Sequence, residues 1–291
     1  MGSQVMTETA ANINSAQQAR TRALIVPREH GAWGLLFVPL STGIAVGVVG
    51  AHSGWSPLVF AMAALALFWL RTPVESLLGT AAISAQTPAE RRIALLVALG
   101  LAALSTICLA ALLWNGRNRG LFVLGGAAGV AFLAQTLLKK LSRKLRMTAQ
   151  IVGAAGLTCT APAAYYLATG HFDSTAWLLW AANWFFAGNQ IHFVQLRIHA
   201  ARAATFGEKF ERGRAFLLAQ VCALLVLLAA FASGFMPPLA MLAFVPALFR
   251  GFAWFFRGYE PLHVKSLGWS EMRQGIVFGI LLAATVIISM P

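Results

Sequence analysis

The chain is 291 residues long, 59% apolar and only 11% charged. That composition excludes an ordinary soluble domain and places the chain in the membrane class. A formal net charge of +13 is high enough to suit a nucleic-acid binder, but the basic residues are scattered over several connections rather than gathered on one face, which argues against nucleic acid as a partner.

Taken in chain order, the first 26 residues are polar and lack the apolar stretch of a signal peptide. They read as a disordered cytoplasmic tail, 1–26, ahead of a transmembrane domain, 27–291. Nine apolar stretches follow, near 31–51, 57–79, 93–114, 119–138, 148–169, 174–196, 214–234, 237–256 and 274–290. Each approaches the roughly 20 residues that an α-helix needs to cross a bilayer. The expected fold is an all-α integral membrane protein of nine transmembrane helices.

Of the 22 Lys and Arg residues, 20 fall in alternate connections, and only Arg117 and Arg119 lie on the opposite side. Basic residues are retained on the cytoplasmic side during insertion, so the N-terminus is expected inside and the C-terminus outside a bacterial cytoplasmic membrane. The inner loops after the second, sixth and eighth spans are longer than the outer ones. That asymmetry suggests a cap over a cytoplasm-facing cavity. No self-similar halves are evident, which counts against an inverted-repeat transporter. Cys108, Cys159 and Cys222 sit in three different spans, expected as small buried residues, and match neither a metal motif nor a disulfide framework.

Ionisable groups at membrane depth are costly and face protein or water. Four clusters stand at inner helix ends. Arg28, Glu29 and His30 lead into the first span; the dipole of that helix start favours Glu29, while His30 and Trp33 share a face. Arg71 and Glu75 end the second span, where Pro73 loosens the helix; they form either a helix-end ion pair or part of an anion or metal site. Lys139 and Lys140 open the basic run between the fourth and fifth spans, which serves topology and anionic-lipid attraction or captures phosphate. Asn189, His192, Gln195, Arg197 and His199 crowd the end of the sixth span. Amides there serve helix packing, but two histidines beside an arginine favour a site.

The segment PREHGAWGLLFVP resembles the opening of the YwiC-like family of bacterial membrane proteins. That family looks like a distant relative of the UbiA superfamily of intramembrane prenyltransferases, and the stretch Leu137–Gly170 is similar to the UbiA segment in which a basic pair precedes a Gly- and Pro-containing fifth helix. The resemblance implies a UbiA-like bundle with a cytoplasm-facing cavity, in which Lys139 and Lys140 contact a diphosphate. It also implies two Asp-rich motifs that hold Mg²⁺, and here the sequence departs from the family: the first position offers only Glu75, the second offers no acid, and the single aspartate is Asp173. Mg²⁺ binding generally uses carboxylates, so Mg²⁺ is doubtful and no metal ligand is assigned; any other cofactor is unknown.

Two functions stay open. In one, Arg28, Arg71, Lys139, Lys140, Asn189, Gln195 and Arg197 bind an isoprenoid or other lipid diphosphate, His30, Glu75 and His192 move protons, and aromatics such as Trp184 shield a carbocation. In the other, a non-catalytic protein binds membrane lipid, quinone or haem, or assists a respiratory complex.

Overall fold

The computed structural model describes residues 15, 17–27, 30–50, 54–79, 83–114 and 118–290, with only the backbone given for His30, Gly31, Ala32, Asn118 and Arg143. The described residues are helical throughout, with no strand. They fall into two compact units, the first made of the described residues within 1–29 and 58–116 and the second of those within 30–57 and 117–291.

The first unit holds helix α2 (Ser56–Leu77), apart from its first two residues, and helix α3 (Pro88–Trp114). Residues 17–25, which the sequence assigned to a disordered tail, are helical and bond to both helices. Leu24 is fully buried. The Trp69 indole donates to the Ile25 carbonyl at 2.5 Å. Arg20 pairs with Glu90 at 2.6 Å and also donates to the Ser84 carbonyl at 3.3 Å. Apolar burial plus these bonds offsets the ordering cost that composition alone would leave unmet. The Glu90 carboxylate further accepts from the backbone N–H groups of Gln86 and Thr87 at the start of α3.

The second unit contains α1 (His30–Gly50), α4 (Asn118–Leu141), α5 (Arg146–Thr158), α6 (Thr160–Thr169), α7 (Ser174–His199), α8 (Phe206–Ala232), α9 (Val245–Phe256) and α10 (Val264–Ile288). A 3₁₀ segment, Pro238–Phe244, leads into α9. Helices α5 and α6 form one span interrupted at Cys159. Pro162 has no N–H to offer Thr158, so the ladder opens there. Gly170, at φ 79°, ends α6 in the left-handed conformation that glycine adopts without steric cost.

The core of this unit joins Val38 and Val46 of α1, Tyr165 of α6, Leu179 and Phe186 of α7, Phe244, and Phe278 and Leu282 of α10. Phe186 and Phe278 stack with ring centroids 3.9 Å apart. Small residues bring the backbones together: Gly43 of α1 lies against the Ala161 backbone of α6, and Gly279 of α10 against Val38. Close approach of this kind favours helix association inside lipid, where the hydrophobic effect gives little.

Eight helical rods among the described residues are long and apolar enough to cross a membrane, with α5 and α6 counted together and α9 joined to its 3₁₀ lead. Their outward residues are large and apolar, as at Leu96, Leu99 and Ile107 of α3. The chain is a multi-pass helical membrane protein. The remaining rod is α7, at 26 residues long enough to span but carrying Asn183, Asn189, Gln190, His192, Gln195 and Arg197. Cys108 and Cys159 are buried as expected, whereas Cys222 is exposed on α8.

Candidate functional site

Helix α7 organises the second unit. Its N-terminus is capped by Asp173, which accepts from the backbone N–H groups of Thr175 at 2.9 Å and Ala176 at 3.2 Å. The Tyr165 hydroxyl donates to the other oxygen of the same carboxylate at 2.9 Å. The chain's single aspartate therefore has an architectural job, satisfying helix-end donors that would otherwise be orphaned.

Along α7, polar side chains tie successive neighbours. The Asn183 amide donates to Thr42 of α1 at 3.1 Å. The indoles of Trp180 and Trp184 donate to the Ala155 and Ile151 carbonyls of α5, at 3.1 and 3.0 Å, and stack on each other. Gln195 reaches Gln150 at 3.3 Å, and Gln190 donates to the Glu271 carbonyl of α10 at 2.8 Å. His192 is half-buried, its ring edge-on to Phe216 of α8. The Asn189 side-chain oxygen is buried without a hydrogen-bond partner.

At its C-terminal end, α7 meets α9 and α10 around a cavity of about 320 Å³ lined by Phe193, Arg197, Arg250, Arg257, Glu260 and His263, among others. Arg250 is the central cation. Its two terminal nitrogens donate to the two Glu271 oxygens, at 2.5 and 3.0 Å, while Nε is buried without a partner. The guanidinium also lies 4.2 Å from the centroid of the Phe193 ring. Side-chain exposure is only 9% for Arg250 and 7% for Glu271. At the rim, Arg197 donates to Glu260 at 2.9 Å, and Arg257 lies 3.9 Å from the same carboxylate.

The loop after α9 is anchored from beneath by Lys209 of α8. Its ammonium is buried and donates to the carbonyls of Trp254, Arg257 and Gly258 at 3.2, 2.6 and 3.1 Å. These are the acceptors that a helix C-terminus leaves open, and a cation there also opposes the negative end of the dipole. Lys209 thereby fixes the stretch that carries Arg257 and Glu260 over the cavity. The start of α8 is set by a capping box between Thr205 and Glu208, which commits that carboxylate as well.

The hydrogen bond from Arg197 holds the Glu260 carboxyl below the usual range against the opposing effect of burial, with the fields of Arg197, Arg257 and Lys209 adding to the shift. A lowered folded pKa means that the contact's stabilisation is complete above the unfolded glutamate value of about 4.3 and is lost as the pH falls through the folded value. Titration followed by infrared carboxylate bands, with Glu260→Gln as the reference, should place Glu260 below that figure, and removing Arg197 should restore it. A Glu260 that titrates at or above the ordinary value contradicts the arrangement.

Of the residues singled out by sequence, Asn189, His192, Gln195 and Arg197 share the last turns of α7, and Arg197 lines the cavity. Arg71 and Glu75 belong to the first unit, where they pair with each other at 2.7 Å. Lys139 and Lys140 are exposed on the last turn of α4, and neither lines the cavity. Arg28 lies outside the described residues, as does the side chain of His30. Sequence reasoning counted Arg250, Arg257 and Lys209 only as topology signals and passed over Glu271 and Glu260. The clue was Arg250, a lone charge within the apolar run PALFRGFAWFF, which by membrane energetics demands a partner.

Among the described residues, no group of three or more His, Cys, Asp or Glu side chains is placed to hold a metal ion. No curated protein and no solved structure matches the chain. The family model described as YwiC-like protein matches residues 26–165. That stretch runs from just before α1 into α6, and over it the chain is similar to the YwiC-like family.

Proposed function

We propose that the protein binds a membrane lipid carrying a diphosphate or comparable anionic headgroup, with the headgroup in the cavity among α7, α9 and α10. The observation that supports this is the makeup of the wall: Arg197, Arg250 and Arg257 line it together with a single carboxylate, Glu260. Arginine forks match phosphate oxygens with paired hydrogen bonds. A cavity of about 320 Å³ suits a small headgroup, which leaves the apolar chain to the surrounding helices and bilayer.

In this reading α7 is the ninth spanning helix of a UbiA-like bundle, the N-terminus is inside a bacterial cytoplasmic membrane, and the cavity opens to the cytoplasm. The isoprenoid diphosphates are the lipid class implied by the UbiA resemblance. His192 is the candidate on α7 for proton movement, and transfer of the isoprenoid is the reaction that such binding would permit.

Purified protein should bind geranylgeranyl diphosphate at least about tenfold more tightly than geranylgeraniol, equal to about 1.4 kcal/mol. The double variant Arg197→Ala/Arg257→Ala should remove most of that preference, whereas Lys139→Ala/Lys140→Ala should retain it. Equal affinity for the diphosphate and the alcohol refutes the reading. Binding without product when acceptors are supplied assigns a carrier or accessory role in place of transfer.

A further inference from the structure

We propose that Glu271 is a built-in anion that an incoming diphosphate displaces from Arg250, and that its carboxylate takes up one proton as it leaves. This rests on the reading of the cavity as an anion site.

The geometry carries the argument. Arg250 lines the cavity, yet the end-on edge of its guanidinium, formed by the two terminal nitrogens, is already spent on both oxygens of Glu271. Its other two-pronged edge runs through Nε, which is buried and lacks a partner. With that edge closed off by burial, an anion takes a two-pronged position by replacing the carboxylate at the end-on edge. Glu271 is then left in a place where its side chain is 7% exposed, and a buried carboxylate without its cation is neutralised rather than kept charged.

The charge balance follows. Arg250 keeps its positive charge, the diphosphate supplies the negative partner, and one solvent proton bonds to a Glu271 oxygen. No other bond is made or broken. Among the described residues, the charged and titratable groups on the elements around Glu271 are Arg250 of α9, His192, Arg197 and His199 of α7, Glu208, Lys209, Glu211, Arg212 and Arg214 of α8, Arg257, Tyr259, Glu260 and His263 of the intervening loop, and Lys265 and Arg273 of α10 itself. Glu260 is held by Arg197 and Lys209 by three carbonyls, so Glu271 is the carboxylate that binding at Arg250 sets loose.

Proton uptake makes binding pH-dependent, with affinity rising about tenfold per unit fall in pH where one extra proton is bound. The test is calorimetric titration of the full-length protein in detergent with inorganic diphosphate, in buffers of differing ionisation enthalpy. Wild type should take up about one proton more than Glu271→Gln, a comparison in which the ligand's own protonation cancels. Equal uptake overturns the proposal. Should Glu271→Gln fail to fold, difference infrared spectra of the wild type decide: diphosphate should produce a protonated-carboxyl band, and its absence overturns the proposal. Binding without proton uptake refutes the exchange and leaves the anion site standing, whereas no binding of either free or geranylgeranyl diphosphate refutes both. The same proton count with the two probes and tighter binding of the second identifies a lipid-borne headgroup.

Discussion

Replacing Arg250 by leucine should be the most damaging single change in the second unit. The substitution leaves Glu271 buried with its counter-ion gone, and removing one member of a buried pair costs about 3–5 kcal/mol. Loss of the contact between the guanidinium and Phe193, at 4.2 Å, adds a smaller amount. The double variant Arg250→Leu/Glu271→Leu should recover most of the loss, since replacing both charges with apolar groups leaves no stranded ion. Thermal unfolding in detergent and yield of folded protein measure both. An Arg250→Leu variant as stable as wild type contradicts the buried pair. If the single variant loses stability and the double variant fails to regain it, packing around the guanidinium, and not charge, carries the loss.

Gly43→Val should nearly match it by a different mechanism. A Cβ at Gly43 would stand 2.8 Å from both the Cα and the carbonyl carbon of Ala161, and closer still to its oxygen. Those are backbone atoms of α6, which cannot swing aside as a side-chain tip does. Overpacking typically costs about 1–3 kcal/mol. Gly43→Ala should already fall in that range, and valine should reach its upper end of about 3 kcal/mol. Gly125 on α4 is the matched control, because nothing lies within 4 Å of its added Cβ. There alanine should be neutral or stabilise by up to about 1 kcal/mol through helix propensity. Equal effects at the two positions would mean that α1 and α6 do not cross where described.

These two sites also show how much a sequence discloses. Hydropathy locates lipid-facing surface, so it finds the apolar part of each rod and misses polar helical extensions. Helix α8 begins at Phe206 and α10 at Val264, well before the spans expected near 214 and 274, and Glu271 lies in just such an extension. Where a polar start coincided with a capping residue, as with Asp173 before α7, the sequence boundary agreed at Ser174. The gathering of Asn189, His192, Gln195 and Arg197 on one helix follows from spacing alone. The pairing of Arg250 with Glu271 does not, because it depends on how α9 and α10 pack. The expectation for Lys139 and Lys140 rested on a basic run and a family resemblance, neither of which specifies packing, and the cavity wall is built from α7, α9, α10 and the loop between the last two.

Helix α7 has a consequence for how the protein is made. With two asparagines, two glutamines, two histidines and an arginine among its 26 residues, it is a poor substrate for unaided partitioning from the translocon into lipid. Its polar groups find several of their partners on segments synthesised afterward: Gln190 on the Glu271 backbone, and Arg197 on Glu260. These two contacts close only after the C-terminal third of the chain has left the ribosome, so the polar end of α7 is completed by segments made later than itself.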